Sequence, residues 1–288
     1  MAAVELLASA WTTAGDAGPM RGPEESPFAL RDRVEAAARA GYRGFGIVHA
    51  DLVVARDRMG LAGLRSLLQD NGMTHVELEM LGDWFADGER RVRSDAVRRD
   101  LLEAAEVLGA RQIKVGGEHQ GRPWPLDRLA ADFHDLCRAA AGAGTRIAFE
   151  FMPFASIADL VSAVRLVDAA GHPAGGLILD LWHVVRGATT FAEVAALASR
   201  YIFAVELDDA DREVVGTLLD DTLDRRRLCG EGGQDVPGFI RAVQTAGYDG
   251  PWGVEILSQE HRHRSMEQQA TLSYATAIVQ FELAAALP

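Results

Sequence analysis

Short apolar runs alternate with amphipathic helical stretches along the whole of this 288-residue chain, and no linker interrupts the alternation. Strand patterns fall at 6–10, 44–48, 75–80, 112–115, 146–151, 176–180, 201–207 and 252–256. Helical periodicity covers 31–40, 60–71, 94–108, 126–141, 157–170, 191–199, 236–246 and 266–286. Apolar runs of four to six residues between turn signals are the mark of strands buried on both faces, hence parallel. Gly41, Gly72, Gly109, Gly144, Gly171 and Gly247 each follow a helical stretch, where a left-handed cap is expected. Eight strand–helix units predict an α/β fold of the (β/α)8 TIM barrel type, as one domain over residues 1–288. An open doubly wound sheet would carry a Gly-rich phosphate loop after an early strand. Ala10-Trp11-Thr12-Thr13-Ala14-Gly15 is not one.

Four of the later strands end in an acid: Glu150 after Ile147-Ala148-Phe149, Asp180 after Leu177-Ile178-Leu179, Glu206 after Phe203-Ala204-Val205, and Glu255 after Trp252-Gly253-Val254. In a barrel, strands five to eight are neighbours, so their C-terminal ends can converge. Gathered carboxylates repel one another unless a cation or protons hold them together. An all-oxygen set favours Mg²⁺, Mn²⁺ or Ca²⁺, and an added imidazole shifts the preference toward Mn²⁺, Co²⁺ or Zn²⁺. His183, three residues after Asp180, is either such a ligand or a partner for a substrate oxygen. Asp180 alone also reads as the N-cap of a following helix. Lys114 ends strand four as a site cation or a solvated tip. Arg225-Arg226-Arg227 and the segment around His261 and His263 read as solvated surface, with one arginine able to reach the pocket. Cys137, in a helical pattern, reads as a small core residue.

A net charge of −13 argues against nucleic acid and anionic membranes as partners. Two cysteines make no disulfide framework, and the first residues lack a basic start and an apolar stretch, so a reducing cytoplasm is the expected compartment. No run approaches the length of a membrane span. The segment 208–235 is long and charged enough to be a functional loop.

The chain resembles the xylose-isomerase-like barrel superfamily of sugar (phosphate) isomerases and epimerases, ketose 3-epimerases, and inosose dehydratases and isomerases. The resemblance is strongest from Arg146 onward. It rests on Glu150, on Asp180-Leu181-Trp182-His183, on Gly230-Glu231-Gly232 before Gly247-Tyr248-Asp249-Gly250, and on Glu255. The family usually has a histidine at the end of strand seven and an arginine six residues later; here the positions hold Glu206 and Arg212.

The resemblance implies a divalent ion held by Glu150, Asp180, Glu206 and Glu255. Manganese or magnesium is favoured by the extra carboxylate, and cobalt or zinc remain open. It implies that Glu150 and Glu255 remove and return a proton beside a substrate carbonyl, through an enediolate. His183 and Arg212 would hold substrate oxygens, Lys114 would add positive charge, and Trp182 and Trp11 would pack on a sugar face. The implied activity is isomerisation or epimerisation of a small carbohydrate or cyclitol. Three rivals stand beside it. One is a dehydratase or lyase acting on a keto-sugar, inosose or keto-glycoside; another is a sugar-binding barrel with a degenerate site. The third, a zinc-dependent DNA endonuclease, fits neither the net charge nor Glu206. A homodimer is the implied assembly.

Overall fold

The computed structural model describes residues 4–119 and 122–286. Eight parallel strands close into a barrel in chain order: β1 (Leu6–Ala8), β2 (Gly44–Val48), β3 (His75–Leu81), β4 (Gln112–Gly116), β5 (Ile147–Glu150), β6 (Gly175–Asp180), β7 (Ile202–Leu207) and β8 (Trp252–Val254). Closure is made by β1 against β8, where Leu7 pairs with Gly253. The outer ring is α1 (Leu30–Ala40), α2 (His49–Asp70), α3 (Gly88–Leu108), α4 (Leu126–Gly142), α5 (Leu160–Ala170), α7 (Phe191–Ala196), α9 (Val236–Thr245) and α11 (Met266–Ala286). Its apolar faces and the outward faces of the strands share one continuous core. The expected barrel is therefore present, and no strand end is displaced by more than two residues.

Two features escaped the periodicity. Helix α2 begins directly at the end of β2 and turns at Gly60, whose φ of 70° breaks the helical phase, so only its second half reads as a helix. Three short helices, α6 (Leu181–Arg186), α8 (Leu218–Asp224) and α10 (Gln259–Arg262), sit in the loops after β6, β7 and β8. Each is started by a side-chain cap rather than by an apolar stripe: Asp180, Thr217 and Ser258 accept from backbone N–H groups of the first turn. The expected glycine caps are left-handed, as at Gly41 (φ 118°) and Gly247 (φ 85°).

Strand residues alternate between the barrel interior and the helix layer. Ala148, Ile178 and Ala204, together with Phe203, form an apolar cluster separate from the outer core. Two residues further along β5, β6 and β7 stand Glu150, Asp180 and Glu206, one layer nearer the C-terminal mouth. Glycines on β2 and β8 make room for acids there. A Cβ on Gly46 would lie 2.8 Å from Glu79 Oε1, and one on Gly253 would lie 2.9 Å from Glu206 Cγ. Among the described residues no helix is long and apolar enough to cross a membrane.

Candidate metal centre and active site

The four strand-end acids meet. Glu150, Asp180, Glu206 and Glu255 are all buried, and each offers an oxygen within 4.8 Å of the others. Register explains the meeting: Asp180 pairs with Glu206 on the neighbouring strand, and Glu206 pairs with Gly253, two residues before Glu255. His183 joins Glu150 and Asp180 in a second grouping, its Nε2 lying 3.3 Å from Glu150 Oε1. Asp180 also accepts from the His183 backbone N–H at 2.9 Å, so it is both helix cap and site residue.

Two buried cations flank the acids. Lys114 is fully buried, with its ammonium against Glu206 and 3.4 to 4.0 Å from Glu79, Glu77 and Glu255. Arg226 bonds Asp180 at 2.5 Å, contacts Asp208, and lies 3.4 Å from Glu255 Oε2 and from His183 Nε2. The triple-arginine run is thus divided by strand-like alternation. Arg225 and Arg227 turn outward to Asp211, while Arg226, held extended by its backbone N–H to Leu257 O, turns into the barrel mouth. Asp209 fixes this geometry from below by accepting backbone N–H groups of Ala210, Gly230, Gly232 and Gln234, which shapes the Gly-Glu-Gly turn.

The protonation pattern follows from crowding. Burial pushes the Glu206 carboxyl up to about 8, against the pull of Lys114 and with added repulsion from Glu150 and Glu79. Burial and the neighbouring Glu206 drive Glu255 well above the ordinary carboxylate range. Burial and Asp180 do the same to Asp208. For Asp180, burial is outweighed by Arg226 and His183, and its carboxyl stays below the ordinary value. Lys114 remains firmly charged although burial opposes it, because four glutamates surround it.

These residues fit a divalent cation. Two full cations do not neutralise the acids, and the excess shows as carboxyls that burial forces toward protonation. Glu206 Oε1 is taken by Lys114 and Ser9, but its Oε2 is buried with no hydrogen-bond partner among the described residues, as is His183 Nδ1. An all-oxygen set with one adjacent imidazole suits Mg²⁺ or Mn²⁺ and admits Zn²⁺.

A cavity of about 260 Å³ opens onto this centre, with Glu150, His183, Arg226 and Glu255 among its lining residues. Trp11 lines it, as expected. Three expected substrate contacts lie elsewhere. Trp182 is fully buried and donates to Asp221 at 2.9 Å, because α6 turns its indole away from the mouth. Arg212 is exposed, and only its carbonyl is engaged, by Arg186 at 2.9 Å. Lys114 is a site cation rather than a solvated tip, but it lies beneath the cavity among the glutamates and does not line it. His261 is buried, with Nε2 3.0 Å from Thr12 O, and burial lowers its imidazole to about 4. His263 alone of that pair is exposed.

Fold and site together define a (β/α)8 barrel with a carboxylate-rich centre at its C-terminal mouth. The family model described as "Xylose isomerase-like TIM barrel" matches residues 34–275, and the chain belongs to that family. It is 26% identical over 250 residues to a 3-dehydroshikimate dehydratase of Pseudomonas putida, covering 84% of this chain and 38% of that protein. The chain thus spans under two-fifths of that relative's length. It is 25% identical over 146 residues to an inosose isomerase of Halalkalibacterium halodurans, covering 50% of this chain and 51% of that one. Among solved structures, a xylose isomerase-like TIM barrel/4-hydroxyphenylpyruvate dioxygenase fusion protein superposes with a TM-score of 0.84 at 22% identity, over 98% of this chain and 44% of the other. The IOLI protein with a bound zinc atom superposes with a TM-score of 0.81 at 18% identity, over 99% and 100% of the two chains.

Proposed function

We propose that this protein removes a proton from the carbon beside a carbonyl in a small polyhydroxylated compound, and that the preferred outcome is loss of a neighbouring hydroxyl as water. The observation that carries the reading is the convergence of four buried carboxylates on one cavity floor, two of which, Glu150 and Glu255, line the cavity itself. Glu150, Asp180, Glu206 and Glu255 would hold a divalent cation. When bound, such an ion polarises a substrate carbonyl and offsets negative charge developing on its oxygen.

The remaining chemistry belongs to the side chains. Glu150 takes the proton on one face, its Oε1 standing beside His183 Nε2. His183 is placed to pass a proton onward to a departing hydroxyl. Glu255, the second carboxyl that lines the cavity, is the other group able to take up or return a proton there. Arg226, rigid between Asp180 and Asp208, presents fixed positive charge to substrate oxygen. Dehydration takes support from the two 3-dehydroshikimate dehydratases matched over 84% and 81% of this chain.

Isomerisation or epimerisation of a keto-sugar or cyclitol is the second reading. It is favoured by the pair of cavity-lining glutamates, which can remove and return one proton, and by the inosose isomerases among the relatives. Both outcomes share the first step. The protein reconstituted with Mn²⁺ or Mg²⁺ is to be incubated in D₂O with 3-dehydroshikimate and with inososes, and products weighed by mass spectrometry. A product lighter by one water supports dehydration, and deuterium uptake without loss of water supports isomerisation or epimerisation. Absence of both water loss and deuterium exchange with every carbonyl compound, in protein shown to hold metal, overturns the reading.

A further inference from the structure

Above the charged floor the cavity is apolar on two sides. Trp11 and Leu223 belong to a buried apolar cluster separate from the main core, and Leu219 packs against it. Across the mouth, Met80 and Met152 approach each other around Gly116, where a Cβ would lie 3.4 Å from one and 3.3 Å from the other. Phe154 continues that wall, its ring 6.1 Å from the His183 imidazole. The polar groups between the walls are mostly committed elsewhere. His49 Nε2 is bonded to Asp100 at 2.9 Å and Asp83 to Arg90 at 2.5 Å, while Glu24 and His119 stand exposed at the rim.

A bare polyol would leave hydroxyls against these walls without partners, and each buried unpaired hydroxyl weakens binding. An apolar group would be desolvated there favourably, and the thioethers of Met80 and Met152 can adjust to its outline. We infer that the natural substrate is amphiphilic: a hydroxylated, carbonyl-bearing ring that also carries an apolar substituent, aryl or branched alkyl, held between the Trp11–Leu219–Leu223 wall and the Met80–Met152–Phe154 wall. This rests on the proton-abstraction reading only for the ring portion. The walls stand whatever chemistry occurs below them.

The test is calorimetric titration of the metal-loaded protein with two inert ring ligands, methyl and phenyl β-D-glucopyranoside. The phenyl compound is expected to bind at least tenfold more tightly, a difference of about 1.4 kcal/mol. Met152→Gln and Leu219→Gln, both at half-buried positions, are each expected to cut that preference below threefold without weakening the methyl compound. Equal binding, absent binding of the phenyl compound, or a preference that survives both variants overturns the inference. A second copy of the chain covering the walls would also give equal binding. Deuterium exchange into an unsubstituted inosose reports separately on the proton-abstraction reading, so failure of one is distinguishable from failure of the other.

Discussion

Two buried ionic networks lie near the C-terminal end of this barrel, and they are built to opposite rules. Arg33 and Asp51 form a closed pair. The guanidinium meets the Asp51 carboxylate, Ala10 O at 2.5 Å and Thr13 Oγ1 at 3.4 Å, and the other Asp51 oxygen accepts Ser26 N–H at 2.8 Å. One charge answers one charge, and none of their polar atoms is left without a partner among the described residues. The barrel mouth is open by comparison. Lys114 and Arg226 face Glu77, Glu79, Glu206, Glu255, Asp180 and Asp208, with Glu150 beside them. Among the described residues, Glu206 Oε2, Asp208 Oδ1 and His183 Nδ1 are buried there with no hydrogen-bond partner, and Glu77 Oε2 has only the ion-pair contact with Lys114 at 3.5 Å. A satisfied network fixes structure, here the loop after β1, whereas an unsatisfied one with an excess of negative charge keeps binding capacity in reserve.

The contrast predicts that the two networks fail differently when one acid is neutralised. Glu150→Gln or Glu255→Gln is expected to lower turnover by about 10²–10⁴-fold, the usual contribution of a positioned base or acid. The metal-free protein should melt no lower than wild type, because a crowded acid has been removed. Near-normal turnover in either variant would contradict the two-glutamate assignment. Asp51→Asn should do the reverse. It leaves Arg33 charged and buried, at a cost of about 3–5 kcal/mol of folding stability. Below its melting transition, turnover should stay within a few-fold of wild type. Denaturant midpoints and single-temperature kinetics on the three variants separate the two behaviours, and an Asp51→Asn protein of wild-type stability would erase the distinction.

The open network is only half legible in the sequence. The acids on β5 to β8 could be read because each closes an apolar run, and a barrel brings such ends together. Glu77 and Glu79 were missed although they share a face of β3 at a spacing of two. Acids inside a strand pattern read as interruptions until an interior cation, Lys114, is known to face them. Arg226 lies in a run that reads as solvated surface with one member able to reach the pocket, and the run does not say which member. Its inward turn depends on pairing with the loop after β8, through Arg225 to Ser258 and Arg226 N–H to Leu257 O, which is a long-range contact. Arg212 and Trp182 were misplaced for the complementary reason. The family resemblance put them near the site, but a matched position does not set the direction of a side chain in a loop or in a six-residue helix. The architecture was more legible than the site because strand–helix alternation is local, while the charge partners of the site are not.

The smallest expected effect concerns protons, and it sharpens the comparison most. Glu206 has an ordinary carboxyl value of 4.5 when the chain is unfolded and about 8 when it is folded. Between those values the folded protein keeps a proton that the unfolded chain has released. The stability this provides is complete below about pH 4.5 and is lost as the pH rises through about 8. Glu255 and Asp208, also raised, act in the same direction. Asp180, lowered by Arg226 and His183 against its burial, acts oppositely, but its contribution fades only under more acidic conditions. The metal-free protein should therefore lose a few degrees of melting temperature between pH 5 and pH 9. A bound divalent cation takes the place of the proton, so metal should raise the melting temperature more at pH 9 than at pH 5. Glu206→Gln should make the metal-free profile shallower. A metal-free melting profile that is level across the range, and identical in Glu206→Gln, would mean that the acids of the mouth are not crowded in solution, and the distinction between the two networks would fall.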